Sequence, residues 1–242
     1  MWGGPMKIQD SVVLVTGGNR GIGKALVEEA LARGARTVYA GARDPETVTT
    51  PGAVPLRLDV TDPASVAAAA RQAGDVRVLV NNAGVSLSLD ILTADLDQVR
   101  QELEVNYLGA LRMIQTFAPI IEANGGGHIQ NVNSALGLAV APGFGAFTAY
   151  AATKAALLMA TNGLRDILPA RGVDLSSLHV GFTDTDMTRG LDVQKNPVAD
   201  VARKALDGIE SDAAEVLADE VSVRVKGLPA LDPAQVFPRS AA

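Results

Sequence analysis

The stretch SVVLVTGGNRGIG at residues 11–23 places a short apolar run directly before a turn that contains four glycines. The β-branched residues of 11–16 predict a strand that is buried on both faces. Ile22, Leu26 and Ala30 recur at helical spacing, which predicts a helix over 22–33 that stops at Gly34. In such a strand–turn–helix unit, glycines allow close approach of a pyrophosphate, and the helix N-terminus attracts its charge. A purely structural glycine turn is the alternative interpretation.

Outward from this unit, predicted strands and helices alternate along the chain. Further strands are predicted at 37–40, 54–60, 76–80, 128–132, 175–180 and 215–218, and further helices from about 63 and at 97–123, 148–168 and 198–208. Alternation of this kind predicts parallel strands, right-handed crossovers and helices on both faces of the sheet. We therefore expect a single-domain, Rossmann-type doubly wound α/β fold over residues 6–242. Residues 1–5 are interpreted as an N-terminal extension or cloning scar before a native start at Met6.

Composition excludes several classes of protein. The chain has 242 residues, a net charge of −6 and no cysteine, which excludes disulfides and thiol chemistry and disfavours nucleic acid or an anionic membrane as partner. With only two histidines, we expect no metal site. No apolar stretch is long enough to span a bilayer and no signal-peptide pattern begins the chain, so a soluble, cytoplasmic protein is expected.

The end of the second predicted strand bears on the choice of dinucleotide. An acidic residue there would bind the ribose 2′-hydroxyl of NAD, but the chain has Ala42 followed by Arg43. Arg43 could bind a 2′-phosphate bidentately, and Arg20 in the glycine turn could approach the same group. The pair favours NADP over NAD. Asp44 leaves an alternative open, because it could pair with Arg43 or contact a ribose itself.

Further motifs follow the glycine turn in order along nearly the whole chain. They are Asp59-Val60, Asn81-Asn82-Ala83-Gly84, Asn106, Ser134 and Tyr150-Ala151-Ala152-Thr153-Lys154. Together with the T-G-x-x-x-G-x-G spacing of the turn, they resemble the short-chain dehydrogenase/reductase family. Each motif is weak alone, but the series in register is highly specific.

The resemblance implies roles for the matching residues. Tyr150 would be the general acid for carbonyl reduction, Lys154 would bind the nicotinamide ribose and lower the pKa of Tyr150, and Ser134 would hydrogen-bond the substrate oxygen. Asn106 would hold a water in a proton relay, and Thr185 would contact the nicotinamide carboxamide. The residues expected to bind the cofactor are Gly17, Asn19, Arg20, Gly21, Ile22, Gly23, Arg43, Asp59, Val60, Asn82, Ala83, Gly84, Tyr150, Lys154, Gly181, Thr183 and Thr185.

The chemistry of the Tyr150–Lys154 pair also follows from helical geometry. Residues four apart lie on one face of a helix, and a neighbouring ammonium favours the phenolate form of tyrosine. A tyrosine four residues before a lysine is otherwise usual on an exposed helix face, and Ser134 and Asn106 could equally be structural residues.

The sequence departs from the family pattern at three places. Asn133 stands where a first serine is common, and Val180 stands where proline precedes Gly181. The third departure is an apolar, glycine-punctuated insertion at 138–147, interpreted either as a wall of the substrate pocket or as a surface loop packed onto the core. The short segment 185–197 is either a small lid or a loop with no selective role. The residues predicted to line the pocket are Leu136, Val140, Phe144, Phe147 and Met187.

We therefore predict reversible, NADPH-dependent reduction of a ketone or aldehyde to an alcohol, with a hydrophobic or aromatic substrate. An NAD-preferring alcohol dehydrogenase of the same family and a non-catalytic dinucleotide sensor are the alternatives. The resemblance also implies a homodimer or homotetramer, formed through the long helices predicted at 97–123 and 148–168.

Overall fold

Seven parallel strands form one continuous sheet in the computed structural model, which describes residues 6–228 and 232–237. The strands are β1 (Val12–Thr16), β2 (Thr37–Ala42), β3 (Val54–Arg57), β4 (Val78–Asn81), β5 (Gly127–Val132), β6 (Val173–His179) and β7 (Glu215–Leu217). Their order is β3-β2-β1-β4-β5-β6-β7, and every neighbouring pair is parallel. The predicted α/β sheet is confirmed, whereas the extension predicted at residues 1–5 lies outside the described residues.

Helices cover both faces of this sheet. They are α1 (Gly21–Ala32), α2 (Pro63–Gln72), α3 (Leu96–Leu103), α4 (Gly109–Ala123), α5 (Thr148–Leu164), α6 (Val198–Glu210), α7 (Glu220–Lys226) and α8 (Pro233–Val236). Alternate residues of β1 point to opposite sides: Val13 and Val15 pack with α1 and α6, while Val12 and Leu14 pack with α2 and α4. This two-sided burial is why the strand is apolar at every position.

The helix predicted at 97–123 contains a π-helical segment, Glu104–Leu108, between α3 and α4. Gly109 follows this segment, and a Cβ at Gly109 would lie 2.7 Å from Val60 Cγ2. The chain therefore passes closer to the end of β3 than a residue with a side chain would allow. π-helical segments are frequent at functional sites, and this one carries Asn106.

The helices in the C-terminal part of the chain differ from the predictions in two ways. The helix predicted to reach residue 168 ends at Leu164, directly after Gly163, whose low helix propensity weakens the last turn. The short helices α7 and α8 were not predicted, because neither is long enough to show a clear apolar period. In α7 the Asp219 side chain caps the helix by accepting from the amide of Ser222 at 2.7 Å.

The topology determines where a ligand can bind. β1 lies between β2 and β4, so the chain leaves β1 towards one edge of the sheet and later returns to start the other half. In open α/β sheets, ligands bind at such a switch point, beyond the carboxyl ends of the strands. Within the described residues, no helix has the length and apolarity needed to cross a membrane.

Candidate active site

The glycine turn lies at this switch point and is shaped for close backbone approach. Gly17 and Gly21 have φ of +66° and +53°, a region that favours glycine. A Cβ at Gly23 would lie 2.0 Å from the carbonyl oxygen of Gly17, so only glycine allows the start of α1 to pack on the turn. The turn is fixed to β2 by a hydrogen bond from the Gly18 amide to the Gly41 carbonyl, 2.9 Å long.

Thr16 connects the segment that follows β4, residues 82–84, to the same glycine turn. The hydroxyl of Thr16 accepts from the amides of Asn82 and Ala83, both at 2.9 Å. The Asn82 side chain donates to the carbonyl oxygens of Thr16 and Gly17 at 2.9 and 3.3 Å. A Cβ at Gly84 would contact Asn106 Oδ1 at 3.2 Å and lie 3.7 Å from Lys154 Nζ. The strand-end motif therefore connects the glycine turn to the residues predicted for catalysis.

The loops at the ends of β2 and β3 bring together several cations. Arg43 is exposed directly after β2, and its carbonyl oxygen accepts from Arg57 Nη1 at 3.2 Å. Arg20, in contrast, forms an ion pair with Asp186 at 3.4 Å. Asp44 Oδ1 accepts from the amide of Glu46 at 3.1 Å, so the alternative in which Asp44 pairs with Arg43 is not seen. Arg57 was missed from the sequence, because its register beside Arg43 depends on strand pairing.

Asp59 and Asn19 hold these loops in place. Burial raises the pKa of the Asp59 carboxyl, but hydrogen bonds from Thr61 and the charges of Arg43 and Arg112 outweigh this, so the pKa is lowered overall. Asn19 Nδ2 donates to Thr47 Oγ1 at 3.0 Å. The glycine turn and the loop that carries Arg43 are thus directly connected.

Ser134, Tyr150 and Lys154 come together beyond the end of β5. Ser134 follows that strand and is 8% exposed. On α5, Lys154 is buried, its Nζ lies 5.8 Å from the centre of the Tyr150 ring, and it donates to the Val132 carbonyl at 2.9 Å. The two α5 side chains therefore lie on one helix face, as their spacing requires.

The pKa of Tyr150 differs from the expectation. Burial raises it to about 12, and hydrogen bonding to Ser134 opposes that rise without cancelling it, while the charge of Glu102 adds to it. Desolvation is the dominant influence on the pKa of Tyr150 in the protein without cofactor. Burial also lowers the pKa of the Lys154 ammonium to about 8. Ser134 is the residue whose hydrogen bond lowers the pKa of Tyr150 here, and the lowering by Lys154 stays a prediction.

Asn106 binds the backbone that follows Gly84. Its Oδ1 accepts from the Val85 amide at 2.8 Å, and its Nδ2 donates to the Val85 carbonyl at 2.9 Å and to Thr153 Oγ1 at 3.0 Å. Its side chain is therefore fully engaged between α5 and the segment after β4. A water relay behind Lys154 remains a prediction.

The segment after β6 reaches the glycine turn in spite of its missing proline. Val180 is buried in the core, and its carbonyl accepts from the Ala135 amide at 3.0 Å. The amide of Gly181 donates to Asp219 Oδ2 at 2.7 Å. Thr185 Cγ2 would lie 3.2 Å from a Cβ on Gly21, so Thr185 and the turn are neighbours. Thr183 is buried beside them.

A mainly apolar cavity, partly open to solvent, adjoins Ser134 and Tyr150. Four of the predicted pocket residues line it: Leu136, Phe144, Phe147 and Met187. Val140 is not among the residues that line this cavity, although its neighbours Ala139 and Ala141 are. The insertion contributes small residues at this point and directs its two phenylalanines inward.

Phe182 is the main pocket residue that sequence reasoning missed. Its ring lies 5.9 Å, centroid to centroid, from both Phe144 and Phe147, within the range of favourable aromatic pairs. Val221 and Val225 of α7 also line the cavity. Phe182 lies between Gly181 and Thr183, which were both predicted to bind the cofactor, so its position in the sequence could have indicated a place near the site. No comparable pattern in the sequence indicated Val221 and Val225, because α7 was not predicted.

These residues fit a nicotinamide dinucleotide. The cradle at Gly17, Gly21 and Gly23 excludes side chains, as a backbone pyrophosphate site requires. Arg43 lies directly after β2, where it would face the adenosine half of a bound cofactor, and Tyr150 and Thr185 line the cavity. When bound, the cofactor supplies the hydride, while the protein supplies position and the proton.

Comparisons with known proteins agree with this geometry. A family model described as short chain dehydrogenase matches residues 11–196. The 3-oxoacyl-(acyl-carrier-protein) reductase FabG of Salmonella typhimurium is 30% identical over 231 residues, covering 90% of this chain and 93% of that protein. The chain therefore belongs to the short-chain dehydrogenase family and is an oxidoreductase with a nicotinamide dinucleotide cofactor.

Two solved structures are similar in fold along most of the chain. A short chain dehydrogenase from Burkholderia cenocepacia in complex with NADP is 38% identical, with a TM-score of 0.87 and coverage of 93% of this chain and 95% of that one. An NADPH-bound carbonyl reductase from chicken fatty liver is 28% identical, with a TM-score of 0.75 and coverage of 84% and 91%.

Proposed function

We propose that this protein is an NADPH-dependent reductase of hydrophobic or aromatic ketones and aldehydes, and that residues 6–242 form its single catalytic domain. The observation that carries the proposal is that Ser134 and Tyr150 both line a mainly apolar cavity. Two hydroxyl donors in the wall of an apolar space suit a carbonyl oxygen attached to an apolar body.

In this proposal, Tyr150 donates its proton to the substrate oxygen as the carbonyl is reduced. Ser134 donates a hydrogen bond to the same oxygen and stabilises its developing charge. Lys154 is held by the Val132 carbonyl beside the Tyr150 ring, where a positive charge favours the phenolate left after proton transfer. In the reverse direction, Tyr150 is the base.

NADP(H) is the proposed cofactor. Arg43 is exposed at the end of β2, and the guanidinium of Arg57 lies against its backbone. Two cations at this point favour an additional phosphate over a ribose hydroxyl. The NADP-bound and NADPH-bound relatives support this choice.

We also propose that the protein self-associates as a homodimer or homotetramer. Large apolar side chains are exposed on the two long helical segments, with exposed fractions of 61% for both Leu96 and Met159 and 39% for Leu103. Apolar surface of this kind is typical of protein interfaces. Analytical ultracentrifugation tests this proposal, and a single monomeric species at micromolar concentration would contradict it.

A carbonyl panel tests the function directly. Oxidation of NADPH, followed by its absorbance, is measured with small aliphatic ketones, aryl ketones, aldehydes and a 3-oxoacyl thioester, with NADH in parallel. We expect the highest kcat/KM with a bulky apolar carbonyl and NADPH. Turnover of the thioester alone would overturn the substrate class, and preference for NADH would overturn the cofactor.

A further inference from the structure

Glu102 is a carboxyl that is buried in α3 and has no role in the reaction described above. Its side chain is 1% exposed. Oε1 accepts from the amide of Leu87 at 2.5 Å, whereas the buried Oε2 has no hydrogen-bond partner among the described residues. An ionisable group held in this way destabilises the fold compared with an apolar residue of similar size. Its presence therefore calls for a reason beyond packing.

Glu102 and Asn106 together hold one short segment of backbone. They are four residues apart and lie on the same side of their helical segment. Asn106 binds both the amide and the carbonyl of Val85, and Glu102 binds the amide of Leu87. Ser86, between these two anchors, lines the substrate cavity. The two side chains thus fix one wall of that cavity from behind.

Glu102 also acts electrostatically on Tyr150, since its charge raises the pKa of the Tyr150 hydroxyl. Burial in turn raises the pKa of Glu102 itself. Lys154, on the same helix as Tyr150, donates to the Val132 carbonyl, and Glu104, two residues after Glu102, pairs with Arg112 at 2.8 Å. No cation pairs with Glu102 within residues 6–228 and 232–237, so its charge is not neutralised locally.

We propose that Glu102 is a positioning residue for the reaction: its carboxyl, buried without a cation partner among the described residues, fixes the 85–87 wall of the cavity that Tyr150 also lines. This proposal rests on the proposed reductase function. An ionised Glu102 opposes formation of the phenolate, so Tyr150 keeps its proton to higher pH. During reduction, Tyr150 must carry that proton, and the alkaline limit of the reaction therefore depends on Glu102.

Glu102→Gln and Glu102→Leu separate the two effects. Glutamine keeps an oxygen that accepts from the Leu87 amide but cannot ionise, whereas leucine removes both properties. In the Glu102→Gln variant, we expect the alkaline limb of kcat/KM for reduction to move to lower pH. Glu104→Gln is the matched control, because it removes a charge two residues away, and its profile should superimpose on that of wild type.

Hydrogen exchange tests the positioning role without substrate. In Glu102→Leu, the peptide that covers residues 84–90 should exchange at least tenfold faster than in wild type, while Glu102→Gln should leave its exchange unchanged. Unaltered exchange in Glu102→Leu, or a Glu102→Gln pH profile identical to that of wild type, would overturn the proposal. If wild type reduces no carbonyl, the proposed function fails, and the exchange comparison still decides the positioning role by itself.

Discussion

Replacing Arg43 by alanine should selectively weaken NADPH binding. Arg43 is exposed beside β2, and a guanidinium there can donate two charge-assisted hydrogen bonds to a 2′-phosphate. Such bonds contribute about 1.5–3 kcal/mol each when shielded, and solvent exposure reduces the total to roughly 1.5–3 kcal/mol. Because ~1.4 kcal/mol is tenfold in affinity, the dissociation constant of NADPH should rise ten- to a hundredfold.

The neighbouring cations limit the size of this effect. Arg20 pairs with Asp186 and is less available to compensate, whereas Arg57 lies against the Arg43 backbone and retains part of the positive potential. The expected loss is therefore nearer tenfold if Arg57 reaches the phosphate, and Arg43→Ala combined with Arg57→Ala should exceed either single change.

Titration of cofactor fluorescence or calorimetry measures both dissociation constants, over a series of salt concentrations. Salt should weaken NADPH binding more than NADH binding. Arg71→Ala, which removes an exposed arginine at the end of α2, is the control for net charge. The reasoning is refuted if Arg43→Ala changes NADPH and NADH binding equally, or if wild type already prefers NADH.

Other expectations follow from the cavity and from buried histidines. Phe182→Ala removes both ring contacts of the insertion. For bulky ketones it should raise the activation free energy that corresponds to kcat/KM by roughly 1–3 kcal/mol, with little effect on small ketones. Val140→Ala, outside the lining, is the control, and an equal effect of both variants would count against the pocket. Burial lowers the pKa of His128 and of His179 to about 4, so the unfolded chain binds protons first as the pH falls below ~6.5. The free energy of unfolding should therefore decrease between pH 6.5 and 4, by up to roughly 3 kcal/mol per histidine. Chemical denaturation of wild type and of His128→Gln over this pH range measures the decrease. If the free energy of unfolding depends on pH equally in both proteins, the assignment to His128 is contradicted.

The strands β1, β2 and β4 are predictable from the sequence because they are mainly apolar and bounded by turn residues. The run at 12–16 is buried on both faces, so its composition alone indicates its position. The end of α5 at Leu164 was not predicted, because Gly163 lies within an otherwise helical pattern. The helix α7 was not predicted, because a short helix contacts the core at too few positions to impose a period. The π-helical segment was not predicted; it lies directly before Gly109, which packs closely against Val60 from a distant part of the chain.

Motif spacing placed the site residues next to each other but did not give their environment. Tyr150 and Lys154 share a helix face as predicted, yet the high pKa of Tyr150 depends on burial and on Glu102, which no local pattern reveals. Val140 and Ala139 are both apolar neighbours in the insertion, and only the folded loop determines which one faces the cavity. Charge and burial thus required the three-dimensional arrangement.

The most direct test of the account is the turnover of Tyr150→Phe. Phenylalanine keeps the ring next to Lys154 and removes the hydroxyl that would supply the proton. Reduction of the best carbonyl substrate is measured under saturating NADPH, together with the NADPH dissociation constant. We predict that kcat falls by at least about a hundredfold while cofactor affinity stays within a few fold of wild type. Turnover close to that of wild type, with the cofactor bound normally, would contradict the assignment of Tyr150 as the proton donor.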